Sequence, residues 1–475
     1  MAASAELHAD SGAAVDVREI RSPWDGTVAG EVRFADAARA ESALARAGDL
    51  HASRRPLPAH ERSGILARAA ARVAAERDEY ALGIALEGGK PLTDAYVEVD
   101  RAVNGLLLAA HEASHSTGPA VPMGGTPATA GRMTLTSREP IGPVVAISAF
   151  NHPLNLIVHQ VAPAIAAGCP VIVKPASSTP LSCLRLVKAL ADSGLPAGWC
   201  VALPCDNNIA SRLAADPRMA YLSFIGSAAV GWTLRSKLPA GARASLEHGG
   251  AAPLIVAPDA DLEAATGLIL KGGYYHAGQV CVSVQRVFAD HRVKDELADR
   301  VADGARSLSV GDPSEATTQV GPLIREAEAV RVLEWTREAL AAGARLAAGG
   351  SRLGRQALEP VVLIDTPDSA RAMRSEVFGP LVNIVGVDGA AEGVARANAV
   401  PWAFQAAVLT GDLETALTAS RDLDATTVMV NDHTAFRADW MPFGGRGASG
   451  LGLGGIPYAF EEMTQPKVIV LRSGT

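Results

Sequence analysis

The sequence predicts an α/β protein built from two doubly wound, mostly parallel sheets with a small β arm. Three observations predict it. Short apolar runs alternate with helical patterns from Ile141 to about Lys237, a second alternating series follows Glu247, and a Gly-, Pro-, Ser- and Thr-rich excursion at 115–132 leaves the main body. Alternating strand and helix is the pattern of parallel sheets covered on both faces. At 475 residues the chain also exceeds what one ordinary core organises. The first domain is expected at 1–114 and 139–247, the second at 248–455, and the arm at 115–138 and 456–475.

Each element has its own signal. Over 35–113 apolar residues recur at three- and four-residue spacing, as in Ile65-Leu66, Ala69-Ala70 and Val73, with charges between them, which predicts helices. The turn Gly88-Gly89-Lys90-Pro91 ends one helix and 92–113 forms the next. Strands are predicted at 143–149, 170–174, 199–203 and 221–224, with helices at 154–167, 180–193, 209–215 and 228–237. The second series places strands at 253–256, 283–288, 361–364, 382–387, 406–409 and 427–430. A terminal strand at 467–472 is free to pair with the excursion around 115–140. No solenoid-length repeat or low-complexity segment interrupts the pattern.

Composition narrows the function. With 48% hydrophobic and 20% charged residues the chain can bury large cores, and a net charge of −8 with a pI near 5.8 gives no basic footprint for nucleic acid or an anionic membrane. A small-molecule partner is the better expectation. Five cysteines, odd in number and without a Cys-x-x-Cys pair, suggest neither a disulfide framework nor a zinc site and fit a reducing cytoplasm. Residues 1–14 lack the basic and apolar regions of a secretory signal, and no apolar run is long enough to span a membrane.

Two stretches carry the chemistry. Ala277-Gly278-Gln279-Val280-Cys281-Val282 sets one cysteine among small residues, and Leu246-Glu247-His248-Gly249-Gly250 sets a carboxylate at a strand end. A thiolate is the strongest side-chain nucleophile near neutral pH, glycines let backbone approach a reacting carbonyl, and a carboxylate on a separate strand can activate water. Taken singly, each has a plainer reading. Cys281 suits a small buried hydrophobe, Glu247 a strand-end surface carboxylate, and Asn151 a turn residue ahead of Pro153.

Motif order decides between these readings. Phe150-Asn151-His152-Pro153, Lys174-Pro175-Ala176, Phe224-Ile225-Gly226-Ser227, Leu246-Glu247-His248-Gly249-Gly250, Gly278-Gln279-Val280-Cys281, Glu376-Val377-Phe378-Gly379-Pro380 and Pro442-Phe443-Gly444-Gly445 follow one another as in the aldehyde dehydrogenase superfamily, which the chain resembles over nearly its whole length. The 34 positions between Glu247 and Cys281 match that pattern. The resemblance implies two Rossmann-like domains, one for cofactor and one for catalysis, plus a β oligomerisation arm and a homodimer or homotetramer. It implies NAD or NADP as cofactor and an aldehyde as substrate. Cys281 would form a thiohemiacetal and then a thioester, Asn151 and the Cys281 N–H would stabilise the oxyanion, and Glu247 would activate the hydrolytic water. By the same resemblance Lys174, Ser177, Gly226, Ser227, Gly231, Glu376 and Phe378 would surround the cofactor. For Gly226 and Gly231 close packing is the plainer alternative, and for Lys174 a solvated strand end.

The chain departs from the family pattern at several positions. Ser177 stands where many NAD-preferring members have glutamate, which removes both a ribose hydrogen bond and the repulsion of a 2′-phosphate, so NADP is an equal candidate. Ile225 replaces a common threonine, and 444–450 lacks the usual lysine. Leu453-Gly454 replaces an Arg-Glu pair, so no second glutamate can relay protons. His248 replaces a leucine, with no role derivable from sequence. Similarity is greatest to the phosphonoacetaldehyde- and lactaldehyde-type branch, and it favours a short polar or anionic aldehyde bound by Arg101, His152 and Arg437. Salt bridging is the alternative for both arginines. Val280 argues against a phosphonate, and Phe436 and Trp440 leave open a tunnel for aromatic or aliphatic aldehydes, or a plain place in the core. Acyl transfer to coenzyme A and an idle binding protein on the same fold are the remaining rivals, and retention of Cys281, Glu247 and Asn151 favours hydrolysis.

Overall fold

The computed structural model describes residues 16–472, so the reading of 1–14 lies outside the described residues. A hairpin of β1 (Val17–Arg21) and β2 (Val28–Arg33), not anticipated from the sequence, precedes the helices α1 (Ala37–Ala52), α2 (Ala59–Ala75), α3 (Arg77–Gly88) and α4 (Leu92–His115). Asp36 starts α1 by accepting a hydrogen bond from the Arg39 N–H, relieving one of the unpaired donors of the first turn. Gly89 ends α3 at φ 72°, a conformation that favours glycine. β3 (Arg132–Pro140) then leads out of the excursion and back into the body.

The first sheet is built from β4 (Val144–Ile147), β5 (Val171–Lys174), β6 (Cys200–Ala202), β7 (Tyr221–Ile225) and β8 (Arg243–Glu247), connected by α5 (Asn155–Ala167), α6 (Leu181–Asp192), α7 (Asn207–Ala215) and α8 (Ala228–Arg235). Its parallel order is β8-β7-β4-β5-β6. Every residue of α5 is buried, and all but Asn155, His159 and Gln160 are apolar, as suits a helix that lies between the sheet and α4. Two buried carboxylates tie down helix starts in this layer. Glu98 accepts from the Leu154 and Asn155 N–H groups at 2.9 and 3.0 Å and is itself paired with the fully buried Lys90. Glu87 likewise accepts from Leu181 and Ser182 at the start of α6. The Glu98 contact fixes the loop that carries Asn151.

The second half contains β9 (Ala252–Val256), α9 (Leu262–Tyr274), β10 (Val284–Asp290), α10 (Lys294–Ser307), α11 (Glu326–Ala341), β11 (Arg345–Ala348), β12 (Val361–Ile364), α12 (Arg371–Arg374) and β13 (Leu381–Val387). It continues through α13 (Gly389–Ala397), β14 (Trp402–Ala403), β15 (Gln405–Leu409), α14 (Leu413–Asp422) and β16 (Thr427–Val430). The sheet order is β11-β12-β13-β10-β9-β15-β16, parallel except for the β11 edge. Two short strands, β17 (Arg446–Gly447) and β18 (Gly450–Leu451), return to pair with β14 and with β8, so the chain from the second half closes over the end of the first sheet beside Glu247.

The last segments differ in part from expectation. Residues 456–462, expected in the arm, form α15 (Ile456–Glu462), because Ile456 and Phe460 are apolar side chains that enter the core shared with α4 and α5. The arm is the antiparallel pair of β3 with β19 (Thr464–Arg472), registered from Thr464 opposite Pro140 to Arg472 opposite Arg132. Among the described residues no helix is long and apolar enough to cross a membrane.

Candidate active site

Cys281 lies three residues before β10 in a loop with costly backbone geometry. His276, Ala277 and Gly278 are consecutively left-handed, at φ 48°, 54° and 68°. For the two non-glycine residues this costs about 1–3 kcal/mol each, so the surroundings must impose it. Gln279 supplies much of that restraint. Its Oε1 accepts from the Ile324 N–H at 2.9 Å and its Nε2 donates to the Pro322 and His276 carbonyls. Gly278 lies so close to Gly379 that a Cβ would stand 2.2 Å from the Gly379 carbonyl oxygen. Asn151 Nδ2 donates to the Gln279 carbonyl at 2.8 Å, which uses one of its two hydrogens and brings the amide to the cysteine loop with the other free.

Two carboxyl groups converge on the half-buried thiol. Burial, then Glu376 and Glu247, push the Cys281 thiol well above its ordinary range, while Arg437 and the cysteine's own N–H oppose the shift. Burial also raises Glu247 to about 7, opposed by Arg437. Burial raises Glu376 to about 8, opposed by the Gly250 N–H and Arg331. Each carboxyl keeps one oxygen without a partner, Oε2 of Glu247 and Oε1 of Glu376. In the resting site the thiol is therefore protonated, next to carboxyl groups that titrate near neutrality. A proton passing from Sγ to Glu247 moves charge within the site without adding any.

Glycines make the seats for both carboxylates. A Cβ on Gly249 would stand 1.6 Å from Glu376 Oε1, and one on Gly454 would stand 2.0 Å from Glu247 Oε1. The position at which a second glutamate was missed in the sequence is therefore the place where Glu247 rests. No side chain fits there while it does.

The residues expected around a cofactor gather beyond the C-terminal ends of β5, β7 and β8, the usual ligand side of such a sheet. Lys174 is buried at the end of β5, and burial lowers its pKa. Ser177 is exposed in the loop that follows. Gly226 and Ser227 join β7 to α8, and Ser227 is an N-cap whose side chain makes no capping bond, leaving the first helical N–H groups open to an anion. Phe378, at φ 47°, sets its ring edge-on to Phe150 at 5.8 Å. With the unpartnered Oε1 of Glu376 available to ribose, this set fits a dinucleotide. Gly231 has a different reason to be glycine. A Cβ there would stand 2.1 Å from His248 Nε2 and 2.9 Å from the Phe224 ring, so it is a packing position. His248 itself bonds the Ala448 carbonyl through Nδ1 at 3.1 Å and lies edge-on between Phe224 and Trp232, holding α8 against the end of β8.

The three candidate substrate ligands divide. Arg101 gives Nε and one terminal nitrogen to Asp439, at 3.2 and 2.7 Å, the salt bridge that was its alternative reading. His152 bonds the Tyr275 hydroxyl at 3.2 Å, and burial among Lys90, His276, Arg101 and Arg437 holds its pKa far below the usual value, so it is a neutral polar group rather than a cation. Of the three, only Arg437 is near enough for its charge to act on both the thiol and Glu247. Its guanidinium lies 3.5 Å from the centre of the Phe443 ring, one terminal nitrogen donates to His159 Nδ1 at 3.1 Å, and Nε has no partner. Phe436 and Trp440 are 47% and 59% exposed and belong to no core. Sequence reasoning passed over His159, Asp439 and the Gly454 seat. The one available signal was His159-Gln160, a polar pair in an otherwise apolar helix.

Comparisons with known proteins agree with one another. The model of the Aldehyde dehydrogenase family matches residues 10–469. A 3-sulfolactaldehyde dehydrogenase of Priestia aryabhattai is 37% identical over 455 residues, covering 95% of this chain and 94% of that protein. Among solved structures, aldehyde dehydrogenase 21 from Physcomitrella patens, in complex with the reaction product succinate, superposes with a TM-score of 0.93 at 33% identity over 98% of this chain and 96% of its own. Glyceraldehyde-3-phosphate dehydrogenase GapN from Methanocaldococcus jannaschii, complexed with NADP, gives 0.91 at 31% identity over 96% and 99%.

Proposed function

The chain belongs to the aldehyde dehydrogenase family, and from that premise we propose that its substrate is a short aldehyde bearing an anionic group, oxidised at Cys281. It is an NAD(P)-dependent enzyme that converts an aldehyde to a carboxylate. Cys281 Sγ attacks the carbonyl carbon as its proton passes to Glu247. The free hydrogen of Asn151 Nδ2 and the Cys281 N–H donate to the oxygen as it becomes an oxyanion. A nicotinamide bound there would supply the hydride acceptor, and loss of hydride from the adduct would leave a thioester on Cys281. Glu247 passes that proton to solvent, then takes another from the water that attacks the thioester, and it returns this one to the departing Sγ as the carboxylic acid is released and ionises. Lys174, Ser227 and Glu376 would hold the cofactor, with Phe378 beside the ring. Ser177 leaves room for a 2′-phosphate, so NADP as well as NAD is accepted. The cofactor domain ends at Glu247 and the catalytic domain follows it.

One observation carries the choice of substrate. Arg437 keeps its charge and an unpartnered Nε beside the reacting thiol, in a site otherwise walled by Val280, Val282, Phe404 and Phe443. Burial lowers its pKa only to about 10, so it remains charged at neutral pH, and an anion arriving there replaces lost hydration with charge-assisted hydrogen bonds. The sulfonate, phosphate and succinate in the names of the similar proteins are anions of this kind. The test compares kcat/KM for succinic semialdehyde and its neutral methyl ester. A clear preference for the acid, abolished in Arg437→Gln, supports the reading. Equal rates, or a preference that survives the substitution, would sink it.

A homodimer or homotetramer formed through the arm is part of the same reading. Met133, Leu135, Val468, Ile469, Val470 and Leu471 expose apolar side chains on β3 and β19, which a second copy would cover. Five free cysteines suit a reducing cytoplasm.

A further inference from the structure

We infer that His159 is a positioning residue that fixes Arg437 in the site without cancelling its charge. The inference rests on Arg437 being the substrate's anion ligand. His159 lies on α5, buried, with Nε2 2.9 Å from Asp439 Oδ1 and Nδ1 3.1 Å from an Arg437 terminal nitrogen. A carboxylate can only accept, so Nε2 must donate to it. A guanidinium can only donate, so Nδ1 must accept from it. Only the neutral imidazole with its proton on Nε2 satisfies both contacts.

The rest of the cluster assigns the charges. Asp439 is bound by Arg101 and, at 3.2 Å, by Asn104 Nδ2, so its direct ion pair is with Arg101, and it acts on Arg437 only through space. The hydrogen bond from His159 and the charge of Arg101 hold Asp439 well below the usual carboxylate range, against the opposing effect of burial, so it is ionised. Burial and the neighbouring Arg437 lower His159 to about 4, so it is neutral where the enzyme works. The chain Arg101, Asp439, His159, Arg437 therefore passes on position while a neutral imidazole, not a carboxylate, makes the direct contact with Arg437. A carboxylate touching Arg437 directly would hold it equally well but would form an ion pair, removing the attraction for an anionic aldehyde.

The test measures kcat and KM for succinic semialdehyde and its methyl ester in the parent, Arg437→Gln, His159→Phe and His159→Gln. Loss of the His159 acceptor should lower the acid-to-ester ratio of kcat/KM by roughly tenfold, about 1.4 kcal/mol, through the KM of the acid. The glutamine, which offers both a donor and an acceptor, should restore most of that ratio. Equal losses for acid and ester in His159→Phe, with Arg437→Gln still collapsing the ratio, would overturn the role of His159 alone. An unchanged ratio in Arg437→Gln would overturn the anionic reading beneath it. Side-chain ¹⁵N–¹H NMR of the parent enzyme, with the signal assigned through His159→Gln, needs no folded phenylalanine variant. A proton on Nε2 alone at neutral pH is expected, and one on Nδ1 refutes the relay.

Discussion

Gly454→Ala tests whether the seat of Glu247 matters to the chemistry. The backbone there is not left-handed, but the new Cβ would stand 2.9 Å from the Phe443 carbonyl oxygen, so the backbone pairing of Phe443 with Gly454 must also give way and part of the effect will fall on stability. The serious conflict is with Glu247 Oε1 at 2.0 Å, against about 3.4 Å for ordinary contact, so the carboxylate must shift by roughly 1.4 Å. A displacement of about 1 Å in a catalytic group commonly costs ~100-fold, or about 2.7 kcal/mol in the barrier. The loss should fall on both steps that use Glu247, deprotonation of the thiol and hydrolysis of the thioester. In stopped flow with succinic semialdehyde, the variant should form its first equivalent of reduced cofactor more slowly than the parent and turn over ~100 times more slowly in steady state. A kcat within about threefold of the parent in a folded variant would refute the reasoning, since Glu247 would then act equally well from elsewhere.

Further expectations concern charge. Because Glu247 is raised to about 7 and acts as base only when ionised, the hydrolytic rate should climb as pH rises through 7, and the limb should vanish in Glu247→Gln. The same upward shift favours the folded state below the ordinary carboxyl pKa and loses that contribution as pH rises through 7. Glu247→Gln should thus gain stability relative to the parent at pH 8 compared with pH 5, read from urea midpoints. Lys90→Met leaves Glu98 buried without its cation and should cost about 3–5 kcal/mol in the same assay. Ser177→Glu should raise the KM for NADP at least ~10-fold while sparing NAD, because the new carboxylate meets the 2′-phosphate.

What the sequence revealed depended on whether the signal was local. The strand at 361–364 and the helix over 154–167 stand within a residue of their predicted ends, because apolar runs and Gly168 are contiguous features. The β1–β2 hairpin escaped notice because Val17-Arg18-Glu19-Ile20-Arg21 alternates only weakly and one strand edge lies open to solvent. Cys281, Glu247 and Asn151 stand out through motif order, and the fold adds their geometry. The seat at Gly454 read only as a missing glutamate, since its reason lies in a side chain from a different strand. The neutral bridge of His159 needs Arg437 and Asp439 brought back onto α5 from a distant loop, and no window of sequence joins them.

The most direct test of the central claim is to trap the acyl-enzyme. The parent enzyme is mixed with succinic semialdehyde and NAD or NADP, acid-quenched within the first turnover during the burst of reduced cofactor, digested and weighed. The account predicts a succinyl adduct on the peptide carrying Cys281, with stoichiometry matching the burst. Reduced cofactor formed with Cys281 unmodified, or an adduct carried by Cys205 or another residue, would contradict it.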